Sequence, residues 1–320
     1  IRADVSFTGR VIPEDQIEVY AEVSGVLQHT PTEFKTGNAF RKGDVLIRID
    51  DREFRSSLKS QRSRFASLIS QILPDIRLDY PEEYDDWAGY LSAFEPDQSM
   101  DELPVTKNEK FRLFLTSRNI WSEFFGIRQS ESRLDKYTIT APFDGVVTSS
   151  QINAGTLVRP NQALGEFIRS DVYEIEASVS VDEVDYIRVG DAVNLQIQKR
   201  KRNQDVRATI KRINASIDPN TQTVLVYLEI KSSSLFAGEF IRGNIEGRAY
   251  ADAMLIPRNI MAQENMLFVV RDSVAYLQTV DVLARLGEDI IIRSPGNDTE
   301  IINEFRSPVF KGTKVSVLRN

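Results

Sequence analysis

The sequence predicts a mainly β, elongated, multi-domain protein in which one compact β module is opened by an α-helical hairpin and followed by two further β units. Three observations carry that prediction. A small β motif is written twice, as AEVSGVL (21–27) with GNAFRKGDVLIRID (37–50), then as APFDGVV (141–147) with GTLVRPNQALGEFI (155–168). The hydrophobic period switches from 2 to 3.6 at residues 50–53 and returns to 2 at 137. Beyond residue 171 the chain continues as short alternating segments punctuated by glycine-containing turns.

The repeat sets the organisation. Ala21 aligns with Ala141, Gly25 with Gly145, Val26 with Val146, Gly37 with Gly155, Arg41 with Arg159 and Leu46 with Leu164, across one two-residue gap. Neither half is large enough to bury an apolar face alone, so the halves must meet in space. Residues 15–50 and 137–170 therefore form one domain, and residues 51–136 leave it and come back. Gly25, Gly37 and Gly43 are expected to supply the positive φ of tight turns. Gly155 takes the same role in the second copy, and Asp144-Gly145 reads as a hairpin-turn pair.

Within the insertion, Asp50-x-x-Glu53 has the form of a capping box. Two rows then recur every seven residues, Leu58, Phe65 and Ile72 beside Phe54, Gln61 and Leu68, and Pro74 is expected to end the helix. Pro81 suits a first helical position ahead of Glu82 and Glu83. A second capping box, Thr106-x-x-Glu109, precedes Leu113, Ile120, Ile127 and Leu134, predicting a helix near 107–133 that spans ~40 Å. Residues 51–136 thus read as two antiparallel helices with a short third folded across the far end. Between Pro81 and Thr106 stand eight acidic residues and no Lys or Arg. With Tyr84, Trp87, Tyr90 and Phe94 they make the hairpin end a candidate partner-docking surface. The alternative is a solvated face over a small aromatic core.

After Asp171, the segments 173–181, 189–197, 207–217, 223–230 and 239–247, with a short helical turn at 182–187, predict a small closed β-barrel over 171–250. The strand-like stretches 267–270, 275–283, 289–293 and 314–318 predict a last β domain over 251–320. That domain is expected to recruit the opening strand in residues 1–14. The basic run Lys199, Arg200, Lys201 and Arg202 reads as a hairpin tip, a candidate transporter- or lipid-facing loop beside the alternative of a plain exposed turn.

Composition excludes several chemistries. A net charge of −7 and pI near 5.1 argue against a nucleic-acid partner, which needs a clustered cationic face. Absence of Cys removes disulfides and thiolate metal sites, and the lone His29, in a polar loop, supplies neither a triad nor an imidazole cage. The acidic pairs Asp85/Asp86, Asp97/Asp101 and Asp182/Glu183 lie in polar stretches where solvation is the default, not a glycosidase arrangement. No phosphate-loop or dinucleotide fingerprint occurs. No apolar run reaches 18 residues, so the sequence itself contains no membrane-spanning helix. The abrupt, strand-like opening IRADVSFTGRV leads us to expect an N-terminal anchor or signal outside this sequence. Neither catalysis nor a cofactor is expected. The alternative of another class is an envelope carbohydrate-binding or hydrolytic β-protein.

The split motif with its insertion resembles the lipoyl/biotinyl carrier fold, a barrel-sandwich hybrid, interrupted by a helical hairpin. In that form it is similar to the HlyD-like membrane fusion proteins, the periplasmic adaptors of tripartite efflux pumps. Further matches follow in order: Asp218-Pro219-x-Thr221-Gln222-Thr223, with Gln222 where the family usually carries Arg, then Leu235-x-x-Gly238-x-Phe240, and Ile256-Pro257-x-x-Ile260. True carriers present a prosthetic-group Lys on the hairpin that residues 51–136 replace, so a carrier role is not implied. The resemblance implies a non-enzymatic adaptor in the periplasm, anchored to the inner membrane through an N-terminal segment absent from this chain. Its implied partners are an inner-membrane transporter of RND or ABC type, an outer-membrane channel reached directly or indirectly, and further copies of itself. Export of small molecules is implied, with an ABC-type exporter or peptide secretion system as the alternative. A metal-efflux role is disfavoured by the scarcity of His and Met. The insertion departs from the family by its prolines at 74, 81, 96 and 104 and by lacking the Arg-Leu-Ser tip pattern.

Overall fold

The computed structural model describes residues 1–199, 202–231, 235–296, 299–303 and 310–315. The fold is mainly β and divides into two compact units, Asp15–Arg169 and Ile1–Glu14 with Ser170–Asn320. In chain order, β1 (Val5–Pro13) is followed by β2 (Gln16–Tyr20), β3 (Gly25–Val26), β4 (Ala39–Phe40) and β5 (Val45–Arg48). The insertion carries α1 (Arg52–Asp79), α2 (Pro81–Ala93), α3 (Glu109–Ser117) and α4 (Ile120–Asp135). Then come β6 (Thr138–Thr140), β7 (Gly145–Ser150), β8 (Leu157–Val158) and β9 (Ala163–Arg169).

In the Asp15–Arg169 unit the two motif copies interlock around a pseudo-two-fold. Gly25 of the first copy pairs with Val158 of the second, while Gly145 of the second pairs with Phe40 of the first. The turn contacts repeat the exchange. Ala21 N–H donates to Gln162 O at 3.0 Å, and Ala141 N–H to Asp44 O at 2.9 Å. Leu27 N–H donates to Thr156 O at 2.9 Å, and Val147 N–H to Asn38 O at 3.0 Å. Each copy therefore satisfies backbone groups that the other leaves open. Ala21, Ala141, Leu46 and Leu164 share the buried core with Phe167 and Val147.

The glycines divide into two kinds. Gly37, Gly43 and Gly155 hold φ of +90°, +90° and +85°, as turns require, and Asn161 takes the place of Gly43 in the second copy at +65°. Gly25 and Gly145 do not; here the expectation is corrected. Both open strands, and Asp144-Gly145 is not a hairpin turn: Asp144 Oδ1 instead accepts from Lys42 N–H at 2.7 Å. Their requirement is space, because a β-carbon at 25 would stand 2.6 Å from Ile49 Cγ2, and one at 145 would stand 2.2 Å from Ile168 O.

The helices depart from expectation at their ends. α1 runs through Pro74, since Leu58, Phe65, Ile69, Ile72 and Ile76 are buried on both sides of it and hold the axis despite the missing N–H. Asp51 is its N-cap position and makes no side-chain cap bond; Asp50 Oδ1 accepts from Arg52 N–H at 3.1 Å instead. The second cap is Asn108, whose Oδ1 accepts from Lys110 N–H and Phe111 N–H, because Thr106 Oγ1 is engaged with Glu83 at 2.5 Å. The single long helix expected over 107–133 is cut at Asn119, where φ is +57°. That break lets Leu115 and Ile120 both reach the helical core. Asn119→Gly should leave stability nearly unchanged, whereas Asn119→Val should cost about 1–2 kcal/mol, because a β-branched residue is strained at positive φ. Urea unfolding of the two variants checks the order.

The second unit holds β10 (Val172–Ser180), β11 (Ala192–Lys199), β12 (Arg202–Asp218), β13 (Thr223–Lys231) and β14 (Phe240–Ile245). They close into a six-stranded barrel in the order β1-β10-β13-β12-β11-β14. The opening strand is thus a barrel strand, not a recruit of the last domain. β10 and β14 would otherwise present open edges, and β1 pairs with both along its length. Its Val5, Phe7 and Val11 point into the barrel core. Ala3, ahead of the strand, packs with Ala284 and Ile291 of the C-terminal sheets. Those are β15 (Ala253–Pro257), β16 (Met261–Gln263), β17 (Met266–Arg271), β18 (Val274–Thr279), β19 (Val282–Leu286), β20 (Asp289–Arg293) and β21 (Glu300–Ile301). They form a β15-β20-β19 sheet and a β16-β17-β18 sheet with β21 on β17. Residues 316–318 of the last expected strand lie outside the described residues.

Candidate functional site

The feature that most distinguishes the Asp15–Arg169 unit is its helical insertion, and its root is built on both motif halves. Asp50 N–H donates to Val26 O, and Ile49 N–H to Tyr137 O, so departing and returning chains are tied to the sandwich together. The Phe54 and Tyr137 rings stack at 5.3 Å, and the Arg133 guanidinium covers Phe54. Arg52 hydrogen bonds hold the Asp50 carboxyl down at about 2, so it remains an anion at the start of α1.

Midway along, Arg62 and Glu131 form an ion pair whose side chains are only 8% and 12% exposed. Glu131 Oε1 accepts from Arg62 Nε at 3.0 Å, from Arg62 Nη2 at 2.5 Å and from Met100 N–H at 2.8 Å. Arg62 Nη1 also donates to Pro96 O, and Arg128 Nη1 to Met100 O. The stretch joining α2 to α3 is thereby pinned across α1 and α4. Sequence periodicity gave no signal for this pair. It placed Gln61 between the apolar Phe54 and Leu68, and Gln61 Oε1 accepts from Ser130 Oγ nearby.

The docking surface expected at the hairpin end is corrected. Trp87 is fully buried, against Phe111 at 5.8 Å and Tyr90 at 6.4 Å, within a core that includes Ile76 and Leu103. Tyr84, Tyr90 and Phe94 are half-buried around it. Tyr90 Oη donates to Asp101 O, and burial together with the Asp101 charge pushes its pKa up to about 12. These aromatics close the underside of α2, because a short amphipathic helix gains more by covering the α1–α3 seam than by facing water. The acidic residues lie outward: Glu82, Asp85 and Asp86 are exposed, while Asp97 pairs with Lys59 and Glu102 with Arg128.

Of the basic run, Lys199 and Arg202 are register partners at the end of the β11–β12 ladder. Arg200 and Lys201 lie outside the described residues. His29 is exposed, 3.7 Å from Glu33. Among the described residues, no three His, Cys, Asp or Glu side chains are placed to hold a metal ion. No helix there is long and apolar enough to cross a membrane.

The two-fold barrel-sandwich hybrid carries the helical insertion in one unit, and the six-stranded barrel belongs to the other. Residues 15–169 match the family described as RND MFP, barrel-sandwich hybrid domain. It is similar to the cobalt-zinc-cadmium resistance protein CzcB of Cupriavidus metallidurans, 26% identical over 70% of this chain and 41% of CzcB. It thus spans less than half the length of that relative. The efflux pump periplasmic linker BepD of Brucella suis is 24% identical over 89% of this chain and 74% of BepD. Among solved structures, MacA from Actinobacillus actinomycetemcomitans has the same fold, with a TM-score of 0.67 at 18% identity, covering 95% of this chain and 97% of MacA.

Proposed function

We propose that the protein is a periplasmic adaptor, a non-enzymatic subunit that links an inner-membrane efflux transporter of RND type to an outer-membrane channel. The observation that carries this reading is the interlocked sandwich. Both ends of the helical insertion are fixed to one two-fold module, and that module matches the RND membrane fusion domain. Such a construction supports a mechanical connection between the insertion and the sandwich. Several copies are proposed to surround the transport path, as closed rotational assemblies require one self-complementary set of faces. The basic tip at 199–202 is proposed to face the transporter or anionic lipid.

Small organic molecules are the proposed cargo. The chain has one His and no Cys, so it carries little of the ligand chemistry suited to soft divalent metals. Deleting the gene should raise susceptibility to a panel of organic antibiotics and dyes, and the full-length gene should restore resistance. Unchanged susceptibility to every compound would remove the adaptor reading. A change confined to cobalt, zinc or cadmium would keep the adaptor and replace the cargo.

A further inference from the structure

The two motif halves part company at one place, and the difference opens a cavity. Leu27 aligns with Val147 and Gly37 with Gly155, so the first copy spans 28–36 where the second spans only 148–154. In the second copy β7 stays paired with β9 as far as Ser150 opposite Gly165. Gly165 permits this close approach, because a β-carbon there would stand 2.1 Å from Ser149 O. Its counterpart in the first copy is Ile47, one position past the aligned Leu46 and Leu164. A side chain at that place holds the first-copy loop off β5. Pairing ends where Gln28 N–H donates to Arg48 O at 2.8 Å, and His29 and Thr30 do not continue it.

The space left is a cavity of about 180 Å³. Its floor is apolar and buried, made by Leu27, Phe34, Leu46, Ile47 and Ile152. Its walls are fixed by hydrogen bonds. Leu27 O accepts from Gly155 N–H at 2.8 Å, Phe34 O from Ser150 Oγ at 2.6 Å, and Glu33 O from Asn38 Nδ2 at 2.8 Å. A ligand therefore meets a formed site and does not have to order the loop. Glu33 is the one carboxylate among the lining residues. Lys35 Nζ lies 2.5 Å from Glu33 Oε2, so that cation is already committed; with His29 it holds the Glu33 carboxyl below the ordinary range. Glu33 Oε1 stands 3.7 Å from His29 Nδ1, longer than a hydrogen bond. Thr30 Oγ1 donates to Thr32 O at 2.7 Å, which leaves its lone pairs as acceptors. An apolar floor thus lies beneath a rim that offers acceptors.

We propose that this cavity binds a small aromatic amine, its ring on Leu46, Ile47 and Ile152 and its ammonium on Glu33 Oε1. Size and charge both select that class. An apolar cavity of about 150 Å³ is enough for a benzene ring, so this one takes a ring with a short chain. The ring replaces water over the buried floor, where an apolar body is favoured. An ammonium gains a charge-assisted hydrogen bond at Glu33, whereas a carboxylate must first break the Glu33–Lys35 pair. The site goes beyond the adaptor reading and does not depend on it, because the cavity belongs to the sandwich alone.

The test titrates this chain, methyl-labelled at Ile and Leu, with phenethylamine, and with phenylacetate as the charge-reversed control. Phenethylamine should give saturable NMR shifts at Leu46, Ile47 and Ile152, and phenylacetate should bind more weakly. Glu33→Gln should weaken phenethylamine about tenfold, the loss of one charge-assisted hydrogen bond. The urea midpoint of that variant should match the parent, since Glu33 lies at the rim. Ala154→Trp, which fills the exposed mouth, should abolish binding of both compounds. No shift at those methyls up to the solubility limit, shifts confined to another part of the chain, or phenylacetate binding as tightly as the amine overturns the proposal. The susceptibility panel for the adaptor reading is a separate measurement, so the two readings fail separately.

Discussion

Gly145→Ala should unfold the barrel-sandwich hybrid or cost it on the order of 3 kcal/mol or more, in the range of severe overpacking. The added methyl would stand 2.2 Å from Ile168 O and 2.7 Å from Phe167 Cζ. The first of these is backbone, held in the ladder by the pairing of Val146 with Ile168, and cannot swing aside. Gly25→Ala is the pseudo-two-fold counterpart, meeting Ile49 Cγ2 at 2.6 Å and Asp50 O at 3.3 Å. There the nearest atom is a side-chain methyl able to shift, so the cost should be smaller. Gly126→Ala, with nothing within reach in α4, should instead gain about 0.8–1 kcal/mol from helix propensity. Urea unfolding should rank the three as Gly145→Ala least stable, Gly25→Ala intermediate and Gly126→Ala above the parent. A Gly145→Ala protein within about 1 kcal/mol of the parent would show that the ladder relaxes and that the exchange of strands is not tightly fixed.

The correspondence of those two glycine environments explains why the sandwich was legible from the sequence. Self-similarity at fixed spacing carries paired contacts with it: Gly25 with Gly145, Ile49 with Phe167 and Asp50 with Ile168 all fall on the same alignment. What was not legible depended on partners far along the chain. β1 alternates as any half-buried strand does, and nothing local says that the open edges of β10 and β14 will claim it. Pro74 normally stops a helix, but burial of Ile72 and Ile76 on either side outweighs one lost hydrogen bond. The aromatic face of α2 was visible as periodicity, yet periodicity cannot tell a buried face from a docking face. Trp87 at 0% exposure decides it.

Glu131→Ala should be the most damaging single change in the helical insertion, at about 3–5 kcal/mol, the cost of leaving a buried charge without its partner. Its removal strands the Arg62 guanidinium and the Met100 N–H together, since one carboxylate oxygen serves both. Replacing the pair as Arg62→Met with Glu131→Leu should recover most of the loss, because no buried charge then remains. It should still fall short of the parent by about 1–3 kcal/mol, the cost of the Met100 N–H left unsatisfied. The two defects have different addresses. In the double variant, hydrogen exchange should quicken at Met100 and its neighbours while Phe65 and Phe124, deeper in the core, keep their protection. In Glu131→Ala, protection should fall across α1 and α4 as well. Equal losses in the single and double variants would mean that the backbone bond to Met100, and not the charge pair, is what ties the α2–α3 connection to the rest of the insertion.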